Sequence, residues 1–196
     1  MIGYCQQQDQ NDFHGESNLV FRGRMVWRDI ATWIREYLIY VYLESEPELQ
    51  QIIVEKLMSL PQDYGNMLRI FFGDKAANEY TILFTNYITL LIILINAQKN
   101  GNADSVNEYT KQLYQNSDER AEYLSKINPF WQRSTLQSLI YNFTGMTIEE
   151  STSFLSKDYK KNTKLFERLL SYSSVMGDYL AEGILNYMKY STRQPK

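Results

Sequence analysis

The stretch VWRDIATWIREYLIYV, residues 26–41, places Val26, Trp27, Ile30, Trp33, Ile34, Tyr37, Leu38 and Val41 at three- and four-residue steps. Arg28, Asp29, Thr32, Arg35 and Glu36 stand between them. One apolar stripe with polar residues around it marks an amphipathic helix that buries a single face. The same period begins at about residue 24 and recurs along the rest of the chain. No segment shows the two-residue alternation of a strand.

Punctuation divides this pattern into further helices. In SEPE (45–48), Ser45 is a candidate cap, Pro47 suits a first turn and Glu48 is placed for a capping box. Pro61 lacks a backbone donor and predicts a break, followed by a short helix over 62–72 that stops at Gly73. Asp74 opens a long apolar helix reaching about Lys99, where KNGNAD (99–104) breaks it. One or two helices are expected over 104–127, ending before Asn128-Pro129. Another is expected over about 131–143, then a short one opened by the capping box TIEE (147–150), then a last one over about 158–190. The fold class is all-α, an up-and-down helical bundle with short loops. Residues 1–22 are expected to form a flexible polar tail before a single bundle domain over 23–196, because QQQDQNDFHGESN lacks aliphatic residues and periodicity.

Two blocks resemble each other. EKLMSLPQDYGNML (55–68) and ERLLSYSSVMGDYL (167–180) match at Glu55/Glu167, Leu57/Leu169, Ser59/Ser171, Gly65/Gly177, Asn66/Asp178 and Leu68/Leu180. Each block follows an apolar helix, so the expectation is an internal two-fold duplication of helical hairpins. A glycine inside a helix costs roughly 1 kcal/mol against alanine, so Gly65 and Gly177 are expected to mark equivalent close approaches of neighbouring helices.

Several segments carry a resemblance to a family: DYGN (63–66), FGDKAAN (72–78), Asn116 with Asp118, LSKINPFW (124–131) and GDYLAEGI (177–184). Over roughly residues 25–190 the chain resembles a poorly characterised family of bacterial helical-bundle proteins, seen in bacilli and clostridia, with no secure activity. The resemblance implies the bundle fold. Relatives carry histidines at positions matching Ile30, Asn86 and Phe143, and this chain has none there.

Composition narrows the chemistry. Twenty Lys and Arg against 23 Asp and Glu leave a net charge of −3, with no basic face for nucleic acid. Sixteen tyrosines, each with apolar area and one hydroxyl that wants a partner, suit the edge of a core or a contact surface. The most apolar run, ILFTNYITLLIILI (82–95), is short for a bilayer and reads as a buried core helix rather than a span. Cys5 is the only cysteine, and His14, the only histidine, lies in the tail. No Glu-x-x-His pair, no nucleophile–base arrangement and no phosphate-binding glycine pattern occurs, so neither metal nor cofactor is expected. The chain is read as cytoplasmic. The alternative is an extracytoplasmic lipoprotein anchored through Cys5.

What remains is polar residues on apolar helices. Asp63 and Asn66 project from one side of a helix, Asn86 sits inside the most apolar helix, and Asp178 is the repeat partner of Asn66. Together they are expected to form one interhelical network or pocket. The functional expectation is a non-enzymatic helical bundle that binds a small molecule or a protein partner. The alternative is an enzyme using Asp63 and Asp178 in an interhelical pocket.

Overall fold

A computed structural model describes residues 2–43 and 46–192, and of residues 2–14 and Pro47 the backbone alone. Five helices follow one another: α1 (Ile2–Leu43), α2 (Pro47–Lys99), α3 (Ala103–Ile127), α4 (Arg133–Leu155) and α5 (Tyr159–Ser191). Among the described residues there is no strand. α1 lies between α2 and α5, and α3 bridges α2 to α4.

The stripe of residues 26–41 faces inward as its spacing requires. Trp27 is the centre of the core, with ring centroids 5.2 Å from Phe143 (α4), 5.6 Å from Phe84 and 5.8 Å from Tyr64 (both α2). Full burial of aromatic side chains of this size dominates the stability of such a core. α1 begins earlier than its stripe. Residues 15–22, assigned above to a tail, continue the helix: Leu19 is buried, and Glu16 pairs with Lys189 of α5 at 2.9 Å. A few apolar anchors and one ion pair against α5 hold a stretch whose composition is otherwise polar. Cys5 and His14 lie outside the described side chains, as does Ser45. The N-cap of α2 is Glu46, which makes no side-chain capping bond.

α2 breaks at Gly73, whose φ of 80° and ψ of 177° are non-helical, and not at Pro61, which is carried inside the helix. A buried proline removes one hydrogen bond, and packing on both sides of the helix outweighs that loss here. The two arms of α2 fold back on each other. Tyr64 and Tyr80 sit with ring centroids 4.9 Å apart, and Arg69 bonds Asn78 and pairs with Asp74, each at 2.9 Å. A one-residue reversal of this kind needs a positive φ with extended ψ, a region almost reserved for glycine that costs an L-residue about 1–3 kcal/mol. Gly73→Ala is therefore expected to destabilise by about that amount in urea denaturation, since no neighbouring atom adds a clash. An unchanged midpoint would show that the break is unstrained.

α4 runs unbroken through the TIEE segment. Thr147 does not cap; its Oγ1 donates to the Phe143 carbonyl one turn earlier, at 2.9 Å. True caps are Asn102, which accepts from Ser105 N–H, and Asp158, which accepts from Lys161 N–H.

Gly65 and Gly177 do not occupy equivalent surroundings. A Cβ on Gly65 would collide with Thr81 and crowd the Ala77 carbonyl, both on the other arm of α2. A Cβ on Gly177 would stand 2.5 Å from Arg24 N and from Gly23 C on α1. One glycine admits a side chain and the other admits a backbone. The matched packing expected of a duplication is not found at this pair.

Candidate functional site

The inner stripe of α3 is Leu113, Asn116, Ser117, Arg120, Ala121 and Leu124. Arg120 thus occupies a core position by helical period, and it is 0% exposed. Its guanidinium carbon sits 4.3 Å from the ring centroid of Tyr87 and 5.0 Å from that of Phe84, both on α2. Tyr64, Tyr80 and Tyr87 are fully buried around it. Tyr64 and Tyr80 come from opposite arms of α2, so the fold at Gly73 assembles this half of the cluster. Ser117 Oγ donates to the Leu113 carbonyl and lies 3.3 Å from Thr144 Oγ1 of α4.

The polar accounting of this cluster does not close. Nε, Nη1 and Nη2 of Arg120 and the hydroxyls of Tyr64, Tyr80 and Tyr87 all lack an aligned hydrogen-bond partner. The groups are nevertheless neighbours: Tyr80 lies at hydrogen-bonding range of both Arg120 and Tyr64, and Tyr87 at that of Thr144 and Thr147, though none of these contacts is well aligned. Burial pushes all three phenols above their ordinary value, which keeps them neutral despite the opposing pull of Arg120. A neutral phenol does not balance a cation. No ion pair involves Arg120 among the described residues. Cation–π contact with two rings is worth about 0.5–2 kcal/mol each, against a penalty of several kcal/mol for a buried ion. Buried charges are otherwise paired, and native cores leave few polar groups unsatisfied.

The four residues singled out from the sequence do not meet. Asp63 and Asn66 are exposed and line a groove of about 320 Å³ with Phe21, Arg22, Met25 and Asp29 of α1. Asn66 Oδ1 accepts from Gln62 at 3.0 Å and from Arg69 at 2.7 Å. Asn86 is exposed on the outer stripe Ile82–Asn86–Thr89–Ile93, opposite the buried Phe84, Tyr87, Ile88 and Leu91. There it borders a groove of about 480 Å³ against Gln112, Gln115 and Glu119 of α3. Asp178 is on the far side of α1 from Asp63, in a two-bonded ion pair with Arg24 at 2.5 and 2.8 Å. The expected single network is thus three separate places. Spacing put Asp63 and Asn66 on one side of a helix correctly, but that side faces solvent.

A second buried charge sits at the other end of the bundle. Glu150 of α4 is 0% exposed, and its Oε1 accepts from Arg35 Nη1 of α1 at 2.5 Å. The Arg35 guanidinium also lies 4.4 Å from the Phe166 ring centroid and 5.5 Å from that of Phe154. Burial pushes the Glu150 carboxyl up to about 7, with Arg35 acting in the opposite direction. Nearby, Tyr42 bonds Ser151, and Ser151 Oγ donates to Gln98 at 2.5 Å. Arg35 satisfies Glu150 Oε1 and leaves Oε2 without a partner, whereas Arg120 has no charged partner among the described residues.

The helical period carries a signal for Arg120 that the sequence reading passed over. Leu113, Ser117, Ala121 and Leu124 define an apolar and small-residue stripe in an otherwise polar segment, and Arg120 falls inside it. No group of three His, Cys, Asp or Glu side chains gathers among the described residues. Residues Glu48–Lys99 are long and apolar enough to cross a membrane by length and composition alone. That helix folds back at Gly73 and supplies much of the core. The structure thus defines an all-α bundle with a cationic, tyrosine-lined interior. No family model, curated protein or solved structure matches the chain.

Proposed function

We propose that this chain is a non-enzymatic helical bundle that binds a small ligand in its core, at the cluster of Arg120, Tyr64, Tyr80 and Tyr87. The observation that carries the reading is the fully buried guanidinium without a carboxylate or an aligned hydrogen bond. Unsatisfied donors in the interior favour a small ligand over a protein partner, which would dock on the surface. The rival reading, an enzyme built on Asp63 and Asp178, needs the two carboxylates in one pocket, and α1 separates them. The resemblance to bacterial helical bundles of bacilli and clostridia agrees with the fold and supplies no activity.

The test is release of the ligand. Gently purified protein is denatured, and the supernatant is examined by mass spectrometry and ion chromatography. Wild-type protein is expected to release a compound in near-stoichiometric amount that Arg120→Met does not release. Equal release from both proteins, or none from either, would sink the proposal.

A further inference from the structure

We propose that the groove between α1 and the first arm of α2 docks a second copy of this chain, with the two first helices antiparallel about a two-fold axis. The inference is independent of the core ligand, because it uses exposed residues alone. The groove has a volume of about 320 Å³ and an apolar centre of Met25, Val26 and Met67, with Phe21 and Ile70 beside it. Phe21 is 62% exposed, Ile70 65% and Met25 39%. Large apolar side chains exposed together inside a polar rim mark a contact surface.

Charge chooses the occupant. The two ends of the groove carry opposite signs. Arg22 stands at one end and makes no hydrogen bond or ion pair among the described residues. Asp29 and Asp63 share the other end. Burial pushes the Asp29 carboxyl up, Lys56 opposes the rise and Asp63 adds to it, as expected of two carboxylates side by side. The remaining arginines nearby are engaged: Arg69 pairs with Asp74, and Arg24 with Asp178.

Spacing makes this pattern complementary to itself. Arg22 and Asp29 are seven residues apart, about 10 Å along one helix, and Met25 and Val26 lie midway between them. A two-fold axis crossing α1 at right angles there reverses the second helix over the first. It sets Arg22 of each copy against Asp29 and Asp63 of the other, and Met25 against Met25. The contact is isologous, so it closes at two copies. The apolar centre supplies the attraction, and the charges at its ends fix the direction. A parallel arrangement would set like charges together. An anionic lipid surface or a nucleic acid would be repelled by the two carboxylates. An unrelated protein has no reason to carry the same spacing.

The test is the molar mass of the full chain by sedimentation equilibrium across the micromolar range. Wild-type protein is expected to reach twice the chain mass. Arg22→Glu and Asp29→Arg are each expected to raise the dissociation constant at least about tenfold, because each sets like charges together at both ends of the contact. An equimolar mixture of the two variants is expected to restore the dimer, since each then offers the charge the other lacks. Restoration also shows that both variants fold. Should a charge variant not fold, Met25→Cys in a Cys5→Ser background takes its place. A short bismaleimide is expected to join two such chains, and not two chains carrying Ile82→Cys on the outer stripe of the second arm of α2. A wild-type chain that stays monomeric would overturn the proposal and leave the groove to a different protein. Undiminished dimers in both charge variants, a mixture of folded variants that stays monomeric, or equal cross-linking at positions 25 and 82 would also overturn it.

Discussion

Gly177→Ala is expected to cost about 3 kcal/mol of unfolding free energy, read as a lowered urea midpoint with unchanged m-value. The added methyl would stand 2.5 Å from the Arg24 nitrogen and the Gly23 carbonyl carbon, and 2.6 Å from the Arg24 Cα. All three are backbone atoms of α1, so no side chain can swing aside to relieve the clash. The reverse change is equally constrained, because a Cβ on Gly23 would meet the Gly177 carbonyl oxygen at 2.8 Å. Relief requires α1 and α5 to separate, which would also pull apart Arg24 and Asp178. That ion pair is exposed and worth little by itself. Asp178→Asn is accordingly expected to change stability far less than Gly177→Ala, and comparable losses would show that the glycine contact is looser than drawn.

Arg35→Met is expected to destabilise by about 3 kcal/mol at pH 8, where Glu150 must hold a proton that the unfolded chain has released and the packing of Arg35 is lost as well. The loss should be smaller at pH 5 by up to about 1.4 kcal/mol, the cost of holding that proton over one pH unit above 7. The reason is the Glu150 carboxyl, raised from 4.5 to about 7 in the folded protein. Between those values the folded state holds a proton that the unfolded state has released, so wild-type stability falls as pH rises through that window. Without Arg35 the folded carboxyl loses its only attraction and holds its proton to still higher pH. At pH 5 it is neutral in both proteins, and only packing of Arg35 against Phe154 and Phe166 is lost. Urea denaturation of both proteins at pH 5 and pH 8 checks this. An equal loss at both values would show that Glu150 is not the titrating group.

How much of this was readable beforehand depends on the kind of signal. The stripe of residues 26–41, the stop at Gly73 and the last helix followed from period and glycine chemistry, which act locally. Pro61 and the TIEE segment misled for one shared reason. Each is a local preference for ending or starting a helix, and tertiary packing on α2 and α4 overrode it. Asn86 misled differently: it lies in the most apolar run, but on the one stripe of that run which faces out. Counting apolar neighbours in sequence hid a distinction that the helical period makes plain. Arg120 was the converse case, a charge within a polar segment whose buried stripe consists of only a few residues. The unlike partners of Gly65 and Gly177 were beyond reach, because like sequences fix like helices and not the neighbours those helices meet.

The contact between Gly23 and Gly177 sets a timetable for the chain as it is made. Arg24 and Asp178 are 154 residues apart, and ribosomes add about 5–20 residues each second. Roughly eight to thirty seconds therefore pass during which the α5-facing side of α1 has been synthesised and has no mate. The two arms of α2, which meet across a single glycine, have no such wait. The nascent chain thus carries an early hairpin beside an unsheltered first helix, and it is this helix that a chaperone would meet first.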